Sequence, residues 1–259
     1  MTNTNGKGAK VAGVAIVTGC ASGVGLATTI RFLTSNYHVF GVDINEMDYA
    51  ELGEAVEKEN FHFHRANLLE DGKCEEVIEV CLETFGSKLE VLANVAGIMD
   101  GFSAADTFGD EEWDRVIGIN LTVPTRLIRA SIPPMKANGG GSIINVCSKA
   151  STSGAVAGVA YTASKHGLLG VTRNTAFRFR KEGIRCNAVC PGGIRDTGIR
   201  KSAPQNIDTV AYEISRPIIE VHNRTSTAEV ADSIFFLASD GSKSINGVCL
   251  PVDCGWSTI

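Results

Sequence analysis

The chain has 259 residues, 44% of them hydrophobic, with 28 glycines and a formal net charge of -5 at pH 7. That length builds one large core or two small ones, and the composition suits a compact α/β protein rather than a disordered or fibrous one. With a net negative charge and no long basic run, nucleic acid and anionic membrane surfaces find little to hold, so the expected partners are small molecules and other copies of the chain.

In chain order, residues 1–10 read as a polar, mobile tail. Residues 11–17 are a short apolar run rich in β-branched side chains. Although Lys7 and Lys10 precede it, the run reads as a first strand rather than a secretory signal, and no stretch is long enough to span a membrane. It stops at Thr18-Gly19-Cys20-Ala21-Ser22-Gly23-Val24-Gly25, and an amphipathic helix follows over 26–33. A buried strand that runs through a glycine-rich turn into a helix cradles phosphate: Gly19 and Gly23 let the backbone approach, and the helix N-terminus offers free N–H groups.

The next strand, 38–43, closes on Asp43, eighteen positions after Gly25. A dinucleotide fold places its acceptor for the adenosine ribose hydroxyls there. A 2′-phosphate would be repelled by Asp43, and neither Ser22, Ile44 nor Asn45 supplies a compensating cation, so this end of the site argues for NAD. Helix 46–58, strand 61–66, helix 71–85 and strand 89–95 continue the alternation. Strand and helix in repetition call for a parallel sheet covered on both faces, with ligands at the strand C-termini. Asn67, Asn94, Ala96 and Gly97 fall at such ends. His62 and His64 share a strand face without a third ligand nearby, which makes them structural rather than a metal site.

A long helical stretch over 110–138 contains Asn120, and strand 141–147 leads into Ser148. After a Gly/Ala/Ser-rich loop over 151–158, a helix running to about 181 carries Tyr161 and Lys165, four positions apart and therefore on one face. A cation beside a phenol can turn it into a base: lowering a pKa of ~10 to ~7 takes roughly 4 kcal/mol, about what a unit charge supplies at ~4 Å in an effective dielectric of ~20. Strand 184–190 ends at Pro191-Gly192-Gly193-Ile194. The irregular, polar segment 195–224, with one modest helix over 207–214, reads as a substrate lid. A last helix over 227–239 and strand 247–252 complete one domain over 11–259. The eight cysteines form no C-x-x-C pair, which favours reduced thiols and a cytoplasmic protein over zinc or a disulfide framework.

These motifs, in this order, resemble the short-chain dehydrogenase/reductase family from Val11 to Gly255. Its T-G-x-x-x-G-x-G stands at 18–25, its N-x-A-G at 94–97, its catalytic set at Asn120, Ser148, Tyr161 and Lys165, and its P-G at Pro191-Gly192. The resemblance implies a single doubly wound, Rossmann-type parallel sheet with helices on both faces. It implies proton exchange by Tyr161 with an alcohol or ketone oxygen held by Ser148, a Lys165 that lowers the tyrosine pKa and holds the nicotinamide ribose, and a water held by Asn120. Cofactor contacts then fall to Gly19, Ser22, Gly23, Val24, Gly25, Asp43, Ile44, Asn67, Leu68, Asn94, Ala96, Gly97, Tyr161, Lys165, Pro191, Gly192, Ile194 and Thr197.

Two positions depart from the family pattern. Asn67 stands for the usual Asp near the adenine, and Asp196 stands where Thr is expected, with Thr197 one residue late. By family position, Met99, Ser148, Gly154, Ala155, Val156 and Gly193 line the substrate pocket, an apolar set suited to a bulky, uncharged, cyclic or terpenoid-like alcohol or ketone of microbial metabolism. Assembly into a homotetramer, or a dimer, follows from the same resemblance, with Ile117, Leu121, Leu168 and Val171 as interface positions. The other classes compatible with the sequence are a non-catalytic NAD-binding sensor or scaffold and a sugar-nucleotide epimerase or dehydratase, the latter needing a larger C-terminal region and a different glycine spacing.

Overall fold

The computed structural model describes residues 13–55, 58–86, 88–202, 204, 207–221 and 223–259. The expected tail over 1–10 lies outside them. Strand β1 (Gly13–Thr18) is buried along its whole length. Its side chains alternate between two cores, Val14 and Ile16 on one face and Ala15 and Val17 on the other, the period-two split that a sheet covered on both faces requires. The remaining strands are β2 (Tyr37–Asp43), β3 (Phe61–Arg65), β4 (Leu89–Asn94), β5 (Gly141–Val146), β6 (Ile184–Pro191) and β7 (Cys249–Val252). All pairings are parallel, in the order β3-β2-β1-β4-β5-β6-β7. Strand order reverses between β1 and β4, which opens a crevice at the C-terminal edge.

The helices are α1 (Gly23–Leu33), α2 (Lys73–Phe85), α3 (Asp110–Ile117), α4 (Val123–Ala137), α5 (Val159–Arg178), α6 (Thr209–Ile219) and α7 (Thr227–Ala238). Phe32 and Leu33 of α1 and Val230, Ile234 and Leu237 of α7 bury one sheet face, while α2 and α4 cover the other with Val77, Cys81, Leu127 and Met135. Helix α7 is fixed at both ends. Ser226 and Glu229 form a capping box at its start, and the Arg185 guanidinium of β6 donates to the carbonyls of Leu237, Ala238 and Ser239 at its end.

Three elements differ from the predicted ones. The helix expected over 46–58 is replaced by short 3-10 turns, Tyr49–Ala55 and Lys58–Asn60, because Gly53 takes φ +63° and breaks the helical path. The long helix over 110–138 is interrupted by a π-turn, Gly118–Thr122, that carries Asn120 into the interior. The helix expected over 207–214 begins later and runs further, through Pro217 to Ile219, capped by the Asp208 side chain on the Ala211 N–H at 2.9 Å. His62 and His64 both stack on Phe40, with centroids 5.0 and 5.6 Å away. Leu168 is buried beside Cys147 and so is not available to an interface, while Leu121 is half-buried against the same cluster.

Candidate active site

The site begins with backbone. Gly19 takes φ +73°, a left-handed conformation that turns the chain sharply out of β1. A Cβ on Gly25 would lie 1.9 Å from the Gly19 carbonyl oxygen, so the turn and the first helical residues pack closer than any side chain permits. Ser22 precedes α1 without capping it through its side chain. The first turn of α1 is therefore without a side-chain cap, and a helix start of this kind fits the pyrophosphate of a dinucleotide. Thr18 pins the neighbouring strand end: its hydroxyl accepts from the Val95 and Ala96 N–H groups, both at 3.0 Å.

At the end of β2, Asp43 accepts from Ala21 N–H (3.0 Å) through one oxygen and from Asn45 N–H (2.9 Å) through the other. It thus ties the glycine turn to the strand beside it. Sheet register adds what sequence proximity hides: Arg65 pairs with Asp43 across β2 and β3. Its guanidinium donates to the Ile44 carbonyl at 3.0 Å and forms an ion pair with Glu46. A cation therefore stands near this corner, although Ser22, Ile44 and Asn45 supply none. Asn67 is half-buried and accepts from the Leu69 N–H at 3.2 Å, with Leu68 packed on the core beside it. Asn94 is turned into the sheet, donating to Asn145, which donates in turn to Thr172 of α5, each at 2.8 Å. Any cofactor contact from Asn94 would come through its main chain.

Tyr161, Lys165, Ser148 and Asn120 come together at the ends of β4 and β5. Tyr161 is 6% exposed and Lys165 3%, and the Lys165 ammonium lies 5.5 Å from the centre of the Tyr161 ring while donating to the Val146 carbonyl at 2.9 Å. A Cβ on Gly97 would be 3.3 Å from Asn120 Oδ1 and 3.5 Å from Lys165 Nζ. The Asn120 side chain is spent on structure: it accepts from Ile98 N–H and donates to the Ile98 carbonyl, both at 2.9 Å, and donates to Ser164 at 3.2 Å. Ser164 passes this brace to the Tyr161 carbonyl at 2.7 Å. Ser148 caps the short turn Lys149–Ser151, accepting from the Ala150 N–H at 3.1 Å.

Burial pushes the Tyr161 phenol well above its ordinary pKa, a hydrogen bond with Ser148 pulls it back, and the charges of Asp100 and Cys147 push it up again. Burial lowers the Lys165 pKa. Both directions follow from the cost of charge away from water.

Around Tyr161 lies an apolar cluster of Val116, Val156, Ala157 and Trp256, with Met99 and Ile219 packed against it. Of the predicted lining, Met99 and Val156 belong here. Ala155 is half-buried, and Gly154 faces open space. The Gly193 carbonyl is taken by Thr225 N–H at 3.0 Å, which fastens the segment after β6 to the residues before α7. Gly192 packs on Asp253 and Trp256. Asp196 accepts from the Thr227 N–H (2.8 Å) and hydroxyl (3.2 Å) at the start of α7, whereas Thr197 faces the glycine turn, its hydroxyl 3.1 Å from where a Gly23 Cβ would stand. The segment after Pro191 thus separates the two neighbours: the aspartate caps a helix and the threonine faces the cradle. Trp256 and Arg65 come to the site only through folding.

A phosphate cradle at the reversal of a parallel sheet, with tyrosine, lysine and serine at the adjoining strand ends, defines a dinucleotide-dependent oxidoreductase. The chain belongs to the short-chain dehydrogenase/reductase family, which uses a nicotinamide cofactor, NAD or NADP; the family profile described as short chain dehydrogenase matches residues 13–208. Among its relatives, the short-chain dehydrogenase/reductase olcF of Penicillium canescens is 46% identical over 256 residues, covering 95% of this chain and 97% of that one. The asnovolin H dehydrogenase nvfC of Aspergillus novofumigatus is 43% identical over 254 residues, with 95% and 97% covered. The crystal structure of levodione reductase superposes with a TM-score of 0.85 at 27% identity, covering 95% of this chain and 97% of that one. Among the described residues, no helix is long and apolar enough to cross a membrane, and no group of three or more His, Cys, Asp or Glu side chains could hold a metal ion.

Proposed function

We propose that this chain is an NAD-dependent enzyme that interconverts a secondary alcohol and its ketone, with Tyr161 as the proton-transfer group. The observation that carries the reading is the meeting of Tyr161, Ser148 and Lys165 beside Gly97, one strand from the phosphate cradle. A hydride leaves an alcohol carbon only as the hydroxyl proton is withdrawn, so a base must reach that oxygen. The Tyr161 phenolate accepts this proton at its Oη, and Ser148 holds the same oxygen by a hydrogen bond. Lys165 keeps its ammonium close to the phenol and favours the phenolate. Asn120, through Ser164 and Ile98, braces the helix turn between them. When bound, the nicotinamide supplies the hydride acceptor and a positive ring charge that offsets the burial cost of the phenolate.

Support for NAD over NADP comes from Asp43, whose carboxylate would face a 2′-phosphate, and from Arg65, whose charge is engaged by Glu46. The apolar cluster around Tyr161 favours a bulky, uncharged and cyclic substrate. Free cysteines, most of them buried, suit a cytoplasmic setting. For assembly into a homotetramer, or a dimer, support lies in an apolar groove between α4 and α5, lined by Ile128, Ile132, Pro133, Val171 and Phe179. Light scattering at micromolar concentration should then exceed the 27.4 kDa of one chain, and that single mass would end the assembly reading.

The decisive experiment follows NADH fluorescence while cyclic, steroidal and linear secondary alcohols are offered with NAD and with NADP. A rise with NAD and a cyclic alcohol is expected. A chain that binds NAD yet leaves the signal flat with every alcohol would be a sensor or scaffold instead.

A further inference from the structure

We propose that Asp100 is a positioning residue for Tyr161, holding the phenol in place through the first turn of α5 and tying that turn to the lid helix α6. The proposal rests on the reading of Tyr161 as the proton-transfer group. Asp100 follows β4 and is 0% exposed, a setting in which a carboxylate survives only when fully hydrogen-bonded. The bonds it accepts come from main-chain N–H groups: Gly158 (3.1 Å) and Phe102 (3.2 Å) on Oδ1, and Tyr161 itself (2.8 Å) on Oδ2. Burial pushes the Asp100 carboxyl above its ordinary pKa and the Glu112 charge adds to this, while the three donors pull it back toward the ionised, acceptor-only form.

The need for this carboxylate starts in the helix. Helix α5 leaves its first N–H groups without intrahelical partners, and its N-cap, Gly158, has no side chain to satisfy them. Asp100 caps it from a distant loop, and the neighbouring Val159 N–H is taken by the Ser103 carbonyl at 2.9 Å. The glycine is the counterpart of the acid: a Cβ on Gly158 would stand 2.5 Å from Asp100 Oδ2. A negative charge at a helix N-terminus is further stabilised by the helix dipole.

The other side of the same loop grips the lid. The Gly101 carbonyl accepts from Asp208 N–H at 2.8 Å, directly before α6, and the Phe102 ring meets Tyr212 of α6 edge-on at 5.1 Å. Phe102 takes φ +61°, a conformation costly for a bulky residue, so the surrounding contacts hold the loop in place. Displacement of α6 therefore pulls on the loop that fixes the turn carrying Tyr161.

The charge has a consequence of its own. The titratable and charged groups facing Tyr161 are Lys165 on α5, Cys147 after β5 and Asp100; those facing Asp100 are Tyr161 and Glu112 of α3, whose carboxylate accepts from Gly101 N–H. Asp100 opposes ionisation of the phenol, so its removal should ease deprotonation.

The test uses the full-length chain with NAD present, carrying carbon-13 at the tyrosine ring carbon that bears the hydroxyl, with the Tyr161 signal assigned by its loss in Tyr161→Phe. In Asp100→Asn the Tyr161 titration midpoint should fall by about one pH unit, the scale on which a close charge acts. Its kcat for an alcohol found active in the screen should fall ~tenfold or more at a pH above both midpoints, with the KM for NAD nearly unchanged, because the phenol is ionised but no longer fixed. Asp100→Glu keeps the charge and misplaces it, so kcat should fall while the midpoint stays closer to that of the parent. A midpoint that stays or rises in Asp100→Asn overturns the proposal, as does full kcat in Asp100→Glu, the variant that decides should Asp100→Asn fail to fold. Normal turnover in Tyr161→Phe would overturn the reading of Tyr161 instead, and the titration arm would still stand apart from it.

Discussion

The two halves of the crevice are built by different means. On the β1–β2 side the recognition surface is backbone, the turn at Gly19 and the uncapped start of α1, packed so closely that Gly25 admits no side chain. On the β4–β6 side the surface is made of side chains: Asn120, Ser148, the Tyr161–Lys165 pair and Trp256 arrive from separate segments, and Asn120 and the Tyr161 turn are held by remote partners, Ile98 and Asp100. A backbone cradle suits a constant ligand part, the pyrophosphate. A side-chain assembly suits proton chemistry and a substrate that changes from one relative to the next. Substitutions on the first side should therefore damage binding, and those on the second should damage turnover.

The largest expected effect is on the second side. Tyr161→Phe removes one oxygen, so turnover should fall at least ~10²-fold, the lower end of what positioned proton transfer supplies, while calorimetry should find NAD affinity nearly unchanged. Near-normal turnover with intact folding would remove Tyr161 from the chemistry. Lys165→Met should blur the division by harming both turnover and NAD affinity. In the parent, kcat/KM for alcohol oxidation should rise with pH through the phenol's ionisation, because only the phenolate accepts a proton. The reverse reduction, which consumes the protonated phenol, should fall over the same interval.

Next in size is the first side. Gly25→Ala forces apart backbone that a Cβ would approach to 1.9 Å, so NAD affinity should weaken by about tenfold or more, ~1.4 kcal/mol. Gly154→Ala, where the added carbon meets nothing within 4 Å, serves as the control: calorimetry should find it silent, and equal effects from the two would erase the distinction between the halves. Asp43→Ala should reduce an NAD preference of at least ~tenfold toward parity. Comparable binding of NAD and NADP by the parent chain would refute the role given to that carboxylate. The smallest change is expected from Glu46→Gln, which frees the Arg65 guanidinium at the edge of the same corner. NADP binding should improve by only about twofold, since exposed ion pairs are worth ~0–1 kcal/mol, and no improvement would show that Arg65 does not reach the 2′ position.

The parallel sheet, the strand ends and the glycine cradle were legible along the chain, because these depend on local order: alternation of apolar residues, a strand run, then glycines opening a helix. Tyr161 and Lys165 were legible for the same reason, being one helical turn apart. Local pattern also misled, since the helix expected over 46–58 gives way to 3-10 turns at Tyr49–Ala55 and Lys58–Asn60, with Gly53 left-handed, and the interruption at Gly118–Thr122 leaves no mark in a continuous apolar period. Which groups stand beside those motifs was set by the packing of the folded chain. Arg65 stands beside Asp43 through sheet register, Asp196 turns to α7 while its neighbour Thr197 faces the cradle, and Asp100 caps a helix from 61 positions away. Such contacts arise because a buried donor or acceptor must find a partner wherever the packed chain brings one within about 3 Å, and no spacing along the sequence encodes that distance.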